Sequence, residues 1–311
     1  MKAIVTGGAG FIGSHLCKKL LEGNAQVTAF DNLSVGKREN LECESENFSF
    51  EKGDVLNAKA LDETFSKRLP EAVFHFAAEP DVRAGNENPQ RVFRQNVEGT
   101  RQVLEACKKT PSVKKIVFAS TSTVYGNASV IPTPETYTLL KPVSQYGKTK
   151  LEGERLVRTY ASECGFDSCI LRLANIIGNK SSHGVIFDFV KKLRQNNAQL
   201  EILGDGNQCK SYLHVSDCIN AILVASNATK GVETFNIGSN NKIKVVKIAE
   251  IVKKALNLES AQNVFTGGKQ GWKGDVPVML LDCSKIKKLG WSPSYDSLQA
   301  VQKTASEITG E

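Results

Sequence analysis

A glycine-rich turn between an apolar strand and an amphipathic helix constrains this chain's fold more than any other feature. Lys2-Ala-Ile-Val-Thr6 is a short β-branched run, and Phe11 to Glu22 carries apolar residues at helical spacing. Between and just beyond them stand Gly7, Gly10 and Gly13, with Phe11 and Ile12 inside the pattern. Strand, turn and helix come in the order a dinucleotide pyrophosphate needs. Gly7 allows the tight turn, Gly10 lets backbone N–H groups approach the phosphates, and Gly13 lets helix and strand pack closely. The helix N-terminus favours the anion. The spacing, G-x-x-G-x-x-G, is one residue longer than the usual fingerprint.

A second strand, Gln26-Val-Thr-Ala-Phe30, ends in Asp31, eighteen residues beyond Gly13. An acid at this strand tip accepts hydrogen bonds from the adenosine ribose hydroxyls and repels a 2′-phosphate, so the expected cofactor is NAD. Lys37 and Arg38 follow in the loop and leave NADP as the alternative.

Strand-like and helix-like segments alternate thereafter, which predicts an α/β, Rossmann-like, doubly wound parallel sheet covered on both faces. The strands are expected at Phe48–Glu51, Ala72–Phe76, Lys115–Ala119 and Ser168–Arg172, with helices at Pro89–Lys108 and Val143–Ser162. Beyond about Asn175 the elements shorten: helices at Gly184–Gln195, Asp217–Ser226 and Val245–Leu256, strands at Glu201–Leu203 and Thr234–Ile237. The reading is a NAD-binding domain over 1–174 and a smaller C-terminal substrate-binding lobe over 175–311, with segments free to cross back.

The net charge of +7 raises the question of nucleic acid, but no Lys/Arg run exceeds a pair and no aromatic-basic platform accompanies it. A milder cause is an anionic small-molecule load, a dinucleotide and a diphosphate-bearing substrate. No apolar run reaches membrane length and no signal peptide is evident, so a soluble, cytoplasmic protein is expected. The eight cysteines, including Cys43, form no C-x-x-C pair and read as small core residues or free thiols. His75 reads as a packed histidine. His183 and His214 have no carboxylate partner evident in the sequence, so no metal is expected.

The chemistry is carried further along. Val113 to Ala119 reads as a buried strand delivering Ser120-Thr-Ser-Thr-Val-Tyr-Gly126, a cluster of hydroxyls, at its carboxyl end. Tyr146 and Lys150 follow on a helix at i and i+4, on one face. An ordinary tyrosine, with a pKa of about 10, is only about one part in a thousand phenolate at neutral pH. A nearby Lys⁺ and an oxidised nicotinamide would both lower that pKa toward the working range of a base.

Taken together, these motifs resemble the extended short-chain dehydrogenase/reductases of the NAD-dependent epimerase/dehydratase family, and within them the UDP-hexose 4-epimerases. The resemblance spans essentially the whole chain. It rests on Thr6–Leu16, Asp31-Asn32, Gly53-Asp-Val55, His75-Phe-Ala-Ala78, Asn96-Val-Glu-Gly-Thr100, Ser120–Gly126, Tyr146–Lys150, Gly204-Asp-Gly-Asn-Gln208 and Tyr212-Leu-His-Val-Ser-Asp217. It implies that Asp31 and Asn32 hold the adenosine ribose, that Asp54 and Val55 flank adenine, and that Ala77 and Ala78 line the cofactor phosphates. Phe76, Asn96 and Ser120 join the cofactor site through the same motifs. Thr121 would hydrogen-bond the sugar O4, Tyr146 would be the base, and Lys150 its partner on the nicotinamide ribose. A homodimer packing the helices Gln95–Lys108 and Tyr146–Ser162 as a four-helix bundle is implied too; intrachain core is the alternative for their apolar faces.

Departures from the family pattern bear on the reaction and the substrate. Dehydratases carry Asp-Glu after the catalytic Thr, and UDP-glucuronate decarboxylases a Glu before Val-Tyr-Gly, where this chain has Ser122 and Thr123. Without that carboxylate, oxidation and re-reduction at one carbon is what remains. In the substrate half, Asn175 matches the family's phosphate-contacting asparagine, and Asp275 is retained. Lys210 stands for an arginine, Trp272 for a second, and Leu203 for a uracil-stacking Phe. Met279 stands where a bulky Tyr is thought to exclude N-acetyl groups, so UDP-N-acetylhexosamines enter the expectation beside UDP-glucose and UDP-galactose. The alternatives are a UDP-glucuronate epimerase or decarboxylase, with Arg83 or Lys210 facing the carboxylate, another dehydratase, or a non-catalytic NAD-sensing relative.

Overall fold

A computed structural model describes residues 1–42, 44–82 and 87–310. Cys43 and Arg83 lie outside the described residues. The chain opens with β1 (Lys2–Thr6), the glycine turn, α1 (Phe11–Glu22), β2 (Gln26–Asp31) and β3 (Phe48–Lys52). It continues through α2 (Ala58–Arg68) and β4 (Ala72–His75) to α3 (Pro89–Phe93), a π turn at Arg94–Glu98 and α4 (Gly99–Lys109). β5 (Lys115–Thr121), a 3₁₀ turn at Ser122–Tyr125, α5 (Gln145–Cys164) and β6 (Asp167–Leu173) complete this half.

These strands form one parallel sheet, joined at its edge by a later strand, β11, in the order β11-β6-β5-β4-β1-β2-β3. Covered on both faces, its strands are apolar without alternation: Ile4, Val5, Ile116, Val117, Phe118, Ile170 and Leu171 are all fully buried. The chain runs outward from β1 to β3 and then returns to β4 on β1's other side. That reversal opens a crevice at the carboxyl ends of β1 and β4, the place where such sheets bind ligands.

The second half begins with β7 (Asn175–Ile177), α6 (Val185–Gln195), β8 (Gln199–Ile202), β9 (Cys209–Lys210) and β10 (Tyr212–His214). α7 (Val215–Ala228) and β11 (Val232–Ile237) follow, then β12 (Ile243–Lys244), α8 (Val245–Ala255), β13 (Gln262–Phe265), β14 (Val278–Met279), α9 (Ser284–Lys287) and α10 (Ser297–Thr309). Leu193, Leu200, Ile202, Ile248, Val252 and Val301 build a separate core for the smaller lobe. α7 and β11 leave it: β11 pairs with β6, and Cys218, Ile222 and Phe235 join the core of the large sheet.

Several element limits differ from the sequence reading for local reasons. The helix expected at Pro89–Lys108 contains the π turn, where Thr100 Oγ1 donates to the Asn96 carbonyl at 2.6 Å and competes with the regular ladder. α5 starts at Gln145 because the Ser144 hydroxyl caps it, accepting from Gly147 N at 3.1 Å. Leu203 falls just outside β8. α10 was not foreseen, although Asp296 and Gln299 form a capping box at its start. Cys17, Cys107, Cys169, Cys218 and Cys283 are buried. Among the described residues no helix is long and apolar enough to cross a membrane.

Candidate active site

The glycine turn is shaped by contacts that leave no room for side chains. Gly7 sits at φ +71°, and a Cβ there would lie 2.6 Å from Ala77 N on the neighbouring β4 loop. A Cβ on Gly13 would lie 2.1 Å from the Gly7 carbonyl, so α1 can approach the turn only as glycine. The N-terminal amides of α1 thereby face a cleft of about 450 Å³ at the sheet's carboxyl edge.

At the tip of β2, Asp31 accepts from Ala9 N at 3.0 Å and Leu33 N at 2.8 Å, which aims its remaining lone pairs into the cleft. Burial raises its pKa, and the two amides oppose that shift. Asn32 lines the cleft beside it and donates to Asp54 at 2.9 Å. Val55, Phe76, Ala77 and Ala78 complete the wall. A glycine cradle, an α1 terminus and an acid at the β2 tip fit a dinucleotide with unphosphorylated ribose hydroxyls. Replacing Asp31 by Asn should narrow the preference for NAD over NADP by roughly fivefold or more, since a unit charge about 4 Å from a phosphate is worth about 1 kcal/mol even at the dielectric of bulk water. Binding titrations of both cofactors check it; an unchanged ratio would remove Asp31 from cofactor selection.

Two of the expected cofactor residues stand apart from the cleft. Asn96 is 1% exposed; its Oδ1 accepts from Glu79 N at 2.7 Å and its Nδ2 donates to Thr149 Oγ1 at 3.1 Å. It ties the π turn to α5 and to the loop after β4. Asp54 stands behind Asn32, capping its own turn through Leu56 N at 2.9 Å.

The expected catalytic groups converge where β5 ends. Ser120, Thr121, Tyr146 and Lys150 all line the cleft. Thr121 Oγ1 accepts from Thr123 N and Thr123 Oγ1, both at 3.2 Å, and its hydroxyl also bonds the Tyr146 phenol. Burial pushes that phenol up to about 12, with the Thr121 bond pulling the other way. Lys150 Nζ lies 6.0 Å from the Tyr146 ring centroid, and burial brings its ammonium down to about 8. In the protein alone the burial cost thus outweighs the expected lowering of the phenol by its lysine. Bringing the phenol into the working range is left to a further positive charge.

His75 is packed as expected, with Nδ1 2.7 Å from Thr6 Oγ1 and Nε2 2.9 Å from Thr100 Oγ1, and burial holds it near 3 and therefore neutral. The reading of His214 needs correction: its Nε2 lies 3.1 Å from Glu307 Oε2, a partner 93 residues away that no local pattern reveals. No metal-holding cluster occurs among the described residues.

On the other side of the cleft stand Asn175, Leu203, Lys210, Trp272, Asp275 and Met279. Lys210 pairs with the buried Asp275 carboxylate, and its Nζ lies 4.9 Å from the Trp272 ring centroid. The Trp272 indole N–H is buried and has no hydrogen-bond partner among the described residues. Leu173 and Ala174, which precede Asn175, also line the cleft, as do Ser181–Gly184 and Gln208, whose Oε1 is likewise unpartnered. The sequence reading gave none of these a place in the substrate site. The flanking Gly178 and Gly184, both at positive φ, were the available signal for a tight loop at Ser181–His183.

A dinucleotide cradle facing a Thr–Tyr–Lys group across one cleft defines an extended short-chain dehydrogenase/reductase. Within that class the chain belongs to the NAD dependent epimerase/dehydratase family, whose pattern matches residues 3–238. A solved UDP-galactose 4-epimerase is 39% identical with a TM-score of 0.89, over 100% of this chain and 99% of that one. A UDP-glucuronate 4-epimerase of Thermodesulfobacterium geofontis is 32% identical, over 97% of this chain and 94% of its own. A UDP-N-acetylglucosamine 4-epimerase from Methanobrevibacter ruminantium M1, solved with UDP-N-acetylmuramic acid, is 28% identical with a TM-score of 0.87, over 99% and 98%. The chain is therefore an enzyme, an NAD-dependent nucleotide-sugar epimerase.

Proposed function

We propose that the chain is a cytoplasmic UDP-hexose 4-epimerase that interconverts UDP-glucose with UDP-galactose and admits the corresponding N-acetylhexosamines. The observation that carries this reading is the hydroxyl environment of Tyr146: Thr121, Ser122 and Thr123 surround the reacting end of the cleft, while on α5 Glu152 pairs with Arg155 at the surface and Glu154 is buried against Arg172. No carboxylate on this turn can protonate a leaving hydroxyl or steer decarboxylation.

Held by the glycine turn, the α1 terminus and Asp31, NAD⁺ would supply a hydride acceptor and donor and a positive charge. The chain's own residues do the rest. Thr121 holds the sugar O4 hydroxyl and the Tyr146 phenol together, and Tyr146 takes the O4 proton as C4 is oxidised. Lys150⁺ lies close enough to stabilise the phenolate. The 4-keto sugar turns about its diphosphate linkage, and Tyr146 returns the proton to O4 as C4 is reduced from the opposite face. Asn175, the unpartnered Trp272 N–H and Lys210 are the groups offered to the diphosphate, and Leu203 lies beside the base. Substrate and products have the same oxidation state, so net NADH is zero.

Met279, Leu173 and Ala174 give the sugar end flexible or small walls. Met279→Tyr is expected to lower kcat/KM for UDP-N-acetylglucosamine by roughly 10- to 100-fold and to leave UDP-glucose within about threefold, the range a steric clash in a pocket produces. Equal effects on both sugars would place Met279 in the core instead. The reading as a whole is tested by incubating the purified protein with UDP-glucose, UDP-N-acetylglucosamine or UDP-glucuronate and separating the products. A C4 epimer without net NADH supports it. A UDP-pentose with CO₂, a 6-deoxy-4-keto sugar or no turnover overturns it. The same reading includes a homodimer through the π turn, α4 and α5, whose outward faces carry Arg94, Glu98, Arg101 and Arg155; light scattering gives its mass.

A further inference from the structure

A buried ion pair that the reaction chemistry leaves unused lies beneath the reacting groups. Glu154 stands on α5, one helical turn past Lys150 and two past Tyr146, and is 2% exposed. Its Oε1 accepts from Ser120 Oγ at 2.5 Å and from Arg172 Nε at 2.9 Å, and its Oε2 accepts from Arg172 Nη2 at 2.7 Å. Arg172 is 4% exposed at the end of β6, and its Nη1 donates to Tyr125 Oη at 3.0 Å. Tyr125 Oη in turn donates to Asn236 Oδ1 on β11 at 2.7 Å. Burial works against the Arg172 charge, but the Glu154 carboxylate outweighs it and raises the guanidinium above its ordinary value.

Burying two charges costs several kcal/mol per ion before pairing, and apolar residues of similar volume commonly hold a fold as well or better. Stability alone is thus a weak reason for the pair. Its contacts point elsewhere. Ser120 is the neighbour of Thr121, α5 carries Tyr146 and Lys150, Tyr125 closes the hydroxyl turn, and Arg172 leads through Leu173 and Ala174 to Asn175. Five directional hydrogen bonds join the end of β5, the hydroxyl turn, α5, β6 and β11.

We propose that Glu154 and Arg172 are positioning residues that fix the Thr121 hydroxyl against the Tyr146 phenol, and the end of β6 against both. The proposal rests on the reading of Tyr146 as the base. Displacing β5 relative to α5 weakens the Thr121 bond that favours the phenolate, so the base becomes harder to ionise as well as misplaced. Of the charged and titratable groups around the pair, Tyr125 bonds Arg172 directly, Glu135 accepts from Asn236 N at 2.8 Å beyond it, and Lys150 stands one turn earlier on α5. They are untouched by the substitutions below.

The test is the double variant Glu154→Leu/Arg172→Met, which removes both charges together, beside Ser120→Ala, which removes one hydrogen bond. The double variant is expected to melt near the wild-type temperature, with kcat lowered roughly 10- to 100-fold by misplacement of the reacting groups. KM should stay within about threefold, since ground-state binding is not what the pair serves. The alkaline rise of kcat should move to higher pH. Ser120→Ala should show the same pattern more weakly, and it decides the matter if the double variant does not fold. Wild-type kcat and an unmoved pH limb in the variant that folds would overturn the proposal. Tyrosinate absorbance of the NAD-bound protein, compared with Tyr146→Phe, separates this from failure of the underlying reading. If Tyr146 contributes no titration and its loss spares turnover, the base assignment fails. If it titrates at the same pH in wild type and double variant, the positioning role fails.

Discussion

Tyr146→Phe is expected to lower kcat by roughly a thousandfold while leaving the fold and bound NAD in place, the scale on which a positioned general base contributes. The substitution removes a single oxygen. Phenylalanine fills the same space, and Thr121 keeps its bonds to Thr123 N and Oγ1, so no buried group loses its only partner. The pH dependence follows from the directions of the two shifts. The phenol is pushed up to about 12 by burial, and the reacting form is the phenolate, so kcat should rise with pH across the neutral range. The Lys150 ammonium, brought down to about 8, loses its charge above that pH, and its help to the phenolate goes with it. The two tendencies oppose one another and bound the rise on its alkaline side. Bound NAD⁺ shifts the phenolate limb downward, because a positive charge beside a phenol favours ionisation. Measuring kcat from pH 6 to 10 for both proteins checks this. A residual activity in Tyr146→Phe within tenfold of wild type would require another base.

What could be read without coordinates was what local patterns encode. β1, α1 and β2 have the limits their strand, glycine and helix signals give, and the Tyr146/Lys150 pair reaches the cleft because i and i+4 share a helix face. Long-range partners were not legible. Nothing in the sequence near His214 points to Glu307, nor does anything near Lys210 show that its charge is taken by Asp275, 65 residues on. At Asn96 the motif position told nothing of its neighbours: the side chain accepts from Glu79 N and donates to Thr149 Oγ1, contacts 17 and 53 residues away in the chain. The Asp296–Gln299 capping box was legible and overlooked, its helix being separated from the chemical motifs that drew the reading along the chain. Glu154 shows the reverse case. On sequence it is a helix acid one turn past Lys150, and only the meeting of β5, β6 and α5 shows that it is buried.

Gly7→Ala is expected to abolish cofactor retention and lower the melting temperature, a larger effect than its one methyl group implies. Two costs combine at this position. A left-handed backbone conformation costs an alanine roughly 1 to 2 kcal/mol, and Gly7 holds φ +71°. The added Cβ would also lie 2.6 Å from Ala77 N and 2.7 Å from the Phe76 carbonyl carbon, both backbone atoms that cannot rotate away. The turn carries Gly7 N to the Phe30 carbonyl at 2.9 Å and the Gly7 carbonyl to Gly10 N at 3.1 Å, so any relief at Gly7 moves β2's tip and the first turn of α1 together. The α1 amides proposed for the pyrophosphate and the Asp31 proposed for the ribose would then shift, one with α1 and the other with β2. A backbone cradle has no rotamers with which to compensate. NAD content of the purified variant, read after denaturation, and its melting curve with added NAD check the expectation. Full NAD occupancy with an unshifted melting temperature would mean that the β4 loop moves aside at little cost, and that the close approach of Ala77 is incidental to the cradle.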